Sequence, residues 1–182
     1  REIRTAYRLH TTNVEVYPSE LGTAPIQVVQ YARSLFESGD RHKQIQPRAF
    51  EQVYAVFDRD DHTSYFDALQ LADSLDGKLR NDNKQAVCFQ AIASVPSFEL
   101  WLLLHFEEIR APIQRDEVMR RLRLHLPGYE KGAGQVFTIT CDRLGVATQR
   151  ALALVSKFSA YDAPNPYTGI GGLVTLLTTL RN

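Results

Sequence analysis

The sequence predicts an α/β fold in which a mostly parallel sheet is flanked by helices and followed by a helical C-terminal extension. A β-branched and aromatic run at 53–57 is typical of a buried strand, and a second apolar run lies at 86–93. Helical patterns separate these runs, and alternating strands and helices favour parallel strands with right-handed crossovers. We therefore expect a single domain over residues 1–182, with its core at about 1–110 and a helical part at about 111–182.

Before the first buried strand, the sequence predicts a helix, a short strand and a second helix. Apolar residues recur at helical spacing in 1–9, whereas Val14 and Val16 alternate with polar residues as in a strand. Thr23 can cap the next helix, and Pro25 suits its first turn.

After that strand, a helix capped by Thr63 or Asp61 is expected to run to about Leu75, where Gly77 ends it. A strongly apolar helix is expected to begin at Ser97 and to stop at Pro112. Further helices are expected over residues 116–126 and 142–158 and in a final segment that begins at Thr168.

Composition limits the class of protein without identifying its activity. The 182 residues include 21 basic and 21 acidic side chains, so net charge does not argue for nucleic acid, although Arg120, Arg121 and Arg123 form a local basic cluster. No apolar stretch reaches the ~20 residues of a membrane span, and no signal peptide is visible, so we predict a cytoplasmic protein. Cys88 and Cys141 are expected to be buried, reduced thiols.

The 53–57 run ends in Asp58, Asp60 and Asp61, which makes the end of this strand the main candidate site. Alternate residues of an extended segment point the same way, so Asp58 and Asp60 would aim two carboxylates at one point. Such a pair needs a cation, and oxygen ligands suit Mg²⁺ or Mn²⁺, which usually serve phosphate chemistry. The alternative is that these acids merely end a strand, and that Asp61 only caps the next helix.

Three further residues are candidates for catalysis, each with a simpler alternative. Glu99 begins an apolar helix, where a carboxylate also stabilises the helix dipole. His105 is either catalytic or a satisfied core histidine. Lys131, in a glycine-containing loop, either binds phosphate or is solvated. Asn165 and Thr168 can shape a turn and cap a helix.

Four motifs follow one another along the chain. They are Val-Phe-Asp-Arg-Asp-Asp-His at 56–62, Pro-Ser-Phe-Glu-Leu-Trp-Leu-Leu-Leu-His-Phe at 96–106, Tyr-Glu-Lys-Gly at 129–132 and Asn-Pro-Tyr-Thr at 165–168. In this order they resemble the RloB-like family. The resemblance implies a TOPRIM-like fold and a place in bacterial restriction-modification or phage defence.

By the same resemblance, Asp58 and Asp60 match an Asp-x-Asp that binds divalent metal, Glu99 supplies a further ligand and Lys131 neutralises phosphate charge. The family's N-terminal Glu-Gly-x-x-Thr-Glu motif has no match here. Because the chain starts at Arg1 and its only methionine is Met119, we expect that motif to lie upstream. His105 and Asn165 belong to family-like motifs without an assigned role.

The leading hypothesis is a magnesium-dependent nuclease or phosphodiesterase that acts on RNA or DNA, with an ATPase from the same defence locus as a possible partner. The first alternative is a non-catalytic or partner-dependent subunit that binds nucleic acid or a nucleotide. A third is a phosphatase or nucleotidyltransferase acting on small molecules. The sequence does not distinguish RNA from DNA or define an oligomeric state.

Overall fold

The computed structural model describes residues 2–9, 14–132, 134–162 and 164–180. Its α-helices are α1 (Glu2–Ala6), α2 (Pro25–Ser38), α3 (Tyr65–Leu75), α4 (Glu99–Leu103), α5 (Arg115–His125), α6 (Val136–Thr140), α7 (Leu144–Val155) and α8 (Ile170–Thr179). Its strands are β1 (Gln52–Asp58), β2 (Cys88–Val95) and β3 (Tyr167–Thr168). The chain divides into two compact units, a central unit of residues 18–92 and a terminal unit of residues 1–17 and 93–182.

In the central unit, α2 packs against β1 and α3. Val29 and Phe36 of α2 are buried, as are Phe57 of β1 and Leu69 of α3. Gly39 ends α2 with a φ of +66°, and a Cβ there would lie 2.5 Å from the Ile45 carbonyl oxygen. Only glycine fits this close approach, which brings the chain back toward β1.

β1 confirms the predicted strand but not its burial on both faces. Ala55 and Phe57 are buried, whereas Val56 between them is exposed. An apolar run therefore occupies a strand with one buried face, as strands outside fully covered parallel sheets commonly do.

The terminal unit is mainly helical. α7 packs against α8 and β3, and α4 packs against α5. Gly171 of α8 lies so close to α7 that a Cβ there would be 2.8 Å from the Cβ of Ala151. Small residues at this crossing let the two backbones approach. Leu100, Leu104 and Leu122 are fully buried in the same unit.

The described residues form a three-stranded sheet in the order β1-β2-β3, which is not mostly parallel as predicted. β3 runs antiparallel to β2, with Ser94 opposite Thr168 and Val95 opposite Tyr167. The two side-chain hydroxyls of Ser94 and Thr168 are hydrogen-bonded at 2.9 Å in the interior. A two-residue strand is too short to show periodicity, which is why the sequence did not indicate this pairing.

Several predicted boundaries also change. Residues 14–17 contain no strand, and residues 10–13 lie outside the described ranges. α3 begins after Ser64, which makes no side-chain cap bond, so neither Thr63 nor Asp61 caps it. α4 ends at Leu103 rather than at Pro112.

α5 confirms the predicted helix to within a residue at each end. Cys88 is only half-buried and Cys141 is exposed, so the predicted burial of both thiols is wrong. None of the helices in the described ranges combines the length and the apolar character that a membrane span requires.

Candidate functional site

Asp58 and Asp60 lie where β1 passes into a turn. Asp58 is the last residue of β1 and is half-buried. Asp60 has a φ of +43°, a left-handed conformation that short polar side chains tolerate better than most. The amide of His62 donates to the Arg59 carbonyl at 3.2 Å and closes the turn. Asp60 is therefore presented by a turn and not, as the sequence suggested, by an extended segment.

This turn borders a surface cavity of about 310 Å³, here called the Asp60 cavity. Its lining consists of Arg59, Asp60, Asp61, His62, Thr63, Tyr65 and Phe66. The central carbon of the Arg59 guanidinium lies 5.6 Å from the ring centre of Tyr65 and 6.0 Å from that of Phe66. The cavity thus combines two carboxylates, a cation and two aromatic rings within eight consecutive residues.

The donor set at the end of β1 fits a magnesium ion as a partial site. Among the described residues, no three His, Cys, Asp or Glu side chains are grouped so that they could hold a metal ion. Magnesium usually binds proteins through only one or two carboxylates and completes its octahedron with waters and substrate phosphates. Asp58 and Asp60 lie two positions apart in the chain at the end of β1 and are both half-buried, whereas Asp61 is exposed. Metal binding by these three acids stays a prediction.

A second acid, Glu99, lies in the terminal unit and is almost completely buried, with 1% of its surface exposed. The Ser97 hydroxyl donates to its Oε2 at 2.6 Å, and the Tyr129 hydroxyl donates to its Oε1 at 3.3 Å. The Lys131 ammonium lies 3.9 Å from the same Oε1. We call these four side chains the Glu99 cluster. Its donors satisfy both oxygens of a carboxylate that would be costly to bury unpaired.

The Glu99 cluster joins two motifs that are thirty residues apart in the chain. The sequence singled out Glu99 and Lys131, and the structure brings these two side chains together. The sequence analysis gave no role to the hydroxyls of Ser97 and Tyr129, although each belongs to the same motif as one of the charged residues. Lys131 is more than half exposed, so the cluster reaches from the interior to the surface.

His105 does not join the Glu99 cluster. Its Nδ1 donates to the Trp101 carbonyl at 3.0 Å, because a carbonyl oxygen can only accept. The imidazole also makes a T-shaped contact with the Trp101 ring at 4.9 Å. Burial, with a smaller contribution from the positive charge of Arg150, lowers the pKa of His105 below its ordinary value. These contacts describe a neutral histidine that stabilises the end of α4, and a catalytic role for it stays a prediction.

The basic cluster on α5 is largely neutralised. Arg120 pairs with Glu117 at 2.7 Å, and Arg121 pairs with Glu107. His125 is 2.8 Å from the other oxygen of Glu107. Burial raises the pKa of Glu107, but the bonds from Arg121 and His125 outweigh it and hold that pKa below its ordinary value. The cluster therefore offers less positive charge than the sequence suggested.

Two side chains of the Asn-Pro-Tyr-Thr motif make hydrogen bonds to the backbone of other segments of the terminal unit. The Asn165 amide donates to the Ile113 carbonyl at 2.8 Å, and the Ile113 amide donates to Asn165 Oδ1 at 3.0 Å. Thr168 Oγ1 accepts from the Ile170 amide at 3.3 Å at the start of α8. The hydroxyl of Thr168 thus satisfies the first amide of α8, in line with the capping role considered for it, although Gly169 is the N-cap residue. The bonds of Asn165 instead connect it to Ile113, which is distant in the chain, and do not describe a local turn-forming role.

All four motifs lie within the stretch of the chain that matches the model of a known family. The model of the family described as RloB-like protein matches residues 1–177. The chain belongs to the RloB-like family. No curated protein and no solved structure matches it.

Membership in the RloB-like family confirms the resemblance drawn from the four motifs and suggests a restriction or defence context. A relation to TOPRIM domains is not part of this match and stays an expectation.

Proposed function

We propose that this RloB-like protein is a divalent-metal-dependent nuclease or phosphodiesterase of bacterial phage defence. The observation that carries the proposal is the placement of Asp58 at the last position of β1 and of Asp60 in the following turn, beside a cavity that also holds Arg59. A strand end with two nearby carboxylates suits magnesium, and a guanidinium suits phosphate.

In this proposal, Asp58 and Asp60 would hold a magnesium ion. When bound, the ion would supply Lewis-acid stabilisation of the charge that develops on phosphate and would activate a water. Arg59 lies beside the same cavity and neutralises phosphate charge, since its fork of donors matches phosphate oxygens.

The Glu99 cluster is proposed to act as a separate phosphate-binding feature. Ser97 and Tyr129 hold Glu99, and Glu99 in turn positions the ammonium of Lys131 at the surface. Lys131 then neutralises a phosphate as a compact charge, which agrees with the role implied by the family resemblance. The further expectation that Glu99 binds metal is harder to reconcile with three donors already around its oxygens.

Cleavage assays on the full-length gene product test the proposal. Labelled RNA and DNA, single-stranded and duplex, are incubated with Mg²⁺, with Mn²⁺ and with EDTA. Asp58→Asn and Asp60→Asn should each lower the cleavage rate by more than ~100-fold, because even outer-shell changes at metal sites cost 10–100-fold. Asparagine also tolerates the left-handed backbone of residue 60.

Asp67→Asn is the matched control, because Asp67 is an exposed acid on α3 that does not line the Asp60 cavity. It should cleave at the wild-type rate. Unchanged metal-dependent cleavage by the Asp58→Asn, Asp60→Asn double variant would contradict the proposal.

A second candidate is a partner-dependent subunit, such as one that works with an ATPase of the same locus. It is favoured by the finding that the described residues group no three metal ligands, which leaves coordination positions that a group from a partner could fill. In that case cleavage should require co-purified products of the neighbouring genes. Metal-dependent turnover by the purified protein alone would exclude this candidate.

A further inference from the structure

The Asp60 cavity contains an aromatic side chain that the fold does not bury. Phe66 is 39% exposed, while the adjacent Tyr65 is 1% exposed. The two rings make a T-shaped contact with centres 5.3 Å apart. Tyr65 therefore anchors Phe66 at the surface, where its ring lines the cavity rather than the core.

The planar guanidinium of Arg59 also lines the cavity, beside the ring of Phe66. Its guanidinium lies about as far from Phe66 as from Tyr65, within the range of a cation–π contact. Aromatic rings and arginine planes are the groups on which proteins stack unpaired bases, because every base presents a π-face. The volume of about 310 Å³ falls at the lower end of the range for small-ligand pockets and suits one nucleotide.

The sign of the net charge of the residues that line the cavity depends on whether a metal ion is bound. Arg59 carries one positive charge, and Asp60 and Asp61 carry two negative charges, so the lining is net negative when His62 is neutral. A phosphate is repelled by such a cavity, but one divalent cation reverses the sign. A ligand with an apolar face for stacking and a phosphate for the cation satisfies both features.

We propose that Phe66 and Arg59 form a base-stacking subsite that selects single-stranded nucleic acid. The inference rests on the proposed function, because it assigns the substrate class of the same site. A base inside a duplex must be unpaired and flipped out of the stack before it can enter a concave site, whereas an unpaired base enters without that cost. The subsite therefore disfavours duplexes without reading their sequence.

Binding measured apart from cleavage tests this inference. Fluorescence anisotropy is recorded with a short labelled single strand and with the matching duplex, in EDTA, on the full-length Asp58→Asn, Asp60→Asn protein. This background removes both metal binding and the repulsive charge of Asp60. The single strand should bind more tightly than the duplex. Phe66→Ala should weaken single-strand binding roughly 10-fold, as expected for the loss of one base-stacking contact.

Phe66→Trp should restore the affinity, and Arg59→Lys, which keeps the charge but not the plane, should weaken it less than Phe66→Ala does. Phe158→Ala is the matched control, because Phe158 is equally exposed at 38% but does not line the cavity. It should leave binding unchanged. Circular dichroism verifies that each variant is folded.

The inference and the proposed nuclease activity can fail separately. Equal binding of duplex and single strand, or an unchanged affinity in folded Phe66→Ala, would overturn the inference even if the wild-type protein cleaves nucleic acid. Conversely, single-strand binding that depends on Phe66 supports the subsite even if the wild-type protein cleaves nothing, and the missing cleavage then counts only against the nuclease.

Discussion

Asp60 and Glu99 are both acids in family-like motifs, yet their surroundings differ. Glu99 is buried and held by two hydroxyls and an ammonium. Asp60 lies in a left-handed turn and lines a cavity open to solvent, beside an arginine and an exposed ring. A buried carboxylate held by protein donors mainly stabilises and positions its neighbours, whereas a carboxylate that lines a cavity open to solvent is within reach of a ligand. Removing each acid should therefore change different properties of the protein.

The largest expected effect on stability is that of Glu99→Ala. It leaves the buried hydroxyls of Ser97 and Tyr129 without an acceptor, at a cost of roughly 3 kcal/mol in the free energy of unfolding. Urea denaturation measures the change. Glu130→Ala is the control, because Glu130 is an exposed glutamate in the loop that also contains Tyr129 and Lys131. This substitution should cost less than about 0.5 kcal/mol. Equal stability of Glu99→Ala and Glu130→Ala would contradict the structural role assigned to Glu99.

Deleting the hydroxyls one at a time sharpens the comparison. Ser97→Ala should cost about 2 kcal/mol and Tyr129→Phe about 1 kcal/mol, because hydrogen bonds to charged groups are strong and that of Ser97 is much shorter. In the Glu99→Ala background both deletions should cost less, which a double-mutant cycle detects. Additive losses would mean that these hydroxyls do not act through Glu99.

The stability of the terminal unit should also depend on pH through His105. Burial lowers the pKa of this imidazole in the folded state, so between that lowered value and the ordinary value of 6.5 only the unfolded chain binds the proton. The free energy of unfolding should therefore fall as the pH drops below 6.5 and should be fully retained above it.

His105→Asn tests this assignment, because an asparagine amide can replace the Nδ1 donor without titrating in this range. The variant should lose part of the pH dependence between neutral and mildly acidic conditions in urea titrations. An unchanged pH profile would show that His105 does not titrate differently in the folded and unfolded states.

The smallest expected effect on stability is that of Lys131→Ala. Its ammonium is 3.9 Å from Glu99 and its side chain is 55% exposed, so solvent screens the pair and the loss should stay below about 0.5 kcal/mol. The same variant should bind phosphate-containing substrate more weakly if Lys131 faces phosphate. A large loss of stability would instead assign Lys131 to the fold.

Local patterns predicted the elements whose signals lie within one segment. β1 and α5 occupy the predicted positions, because a β-branched run and a helical repeat are local features. α4 is shorter than its apolar run suggests. Side chains bond the carbonyls at its end, with His105 on that of Trp101 and Arg150 on that of Leu104. Arg150 belongs to a distant helix, and no local pattern reports its contact.

The candidate sites likewise contain features that the sequence shows and contacts that only the fold creates. Asp58, Asp60, Glu99 and Lys131 were visible as charged residues in suggestive positions. The partners of Glu99 were not, because they depend on the return of a loop thirty residues later. The role of Phe66 was also hidden, since its exposure depends on how α3 packs in the fold.

The most direct test of the central claim is Mn²⁺ binding to the full-length protein, measured by electron paramagnetic resonance of the free ion. Wild-type protein and Glu99→Gln should bind Mn²⁺ alike, whereas the Asp58→Asn, Asp60→Asn double variant should bind it at least ~100-fold more weakly. Equal Mn²⁺ binding by the wild-type protein and the double variant would contradict the assignment of the metal site to the end of β1.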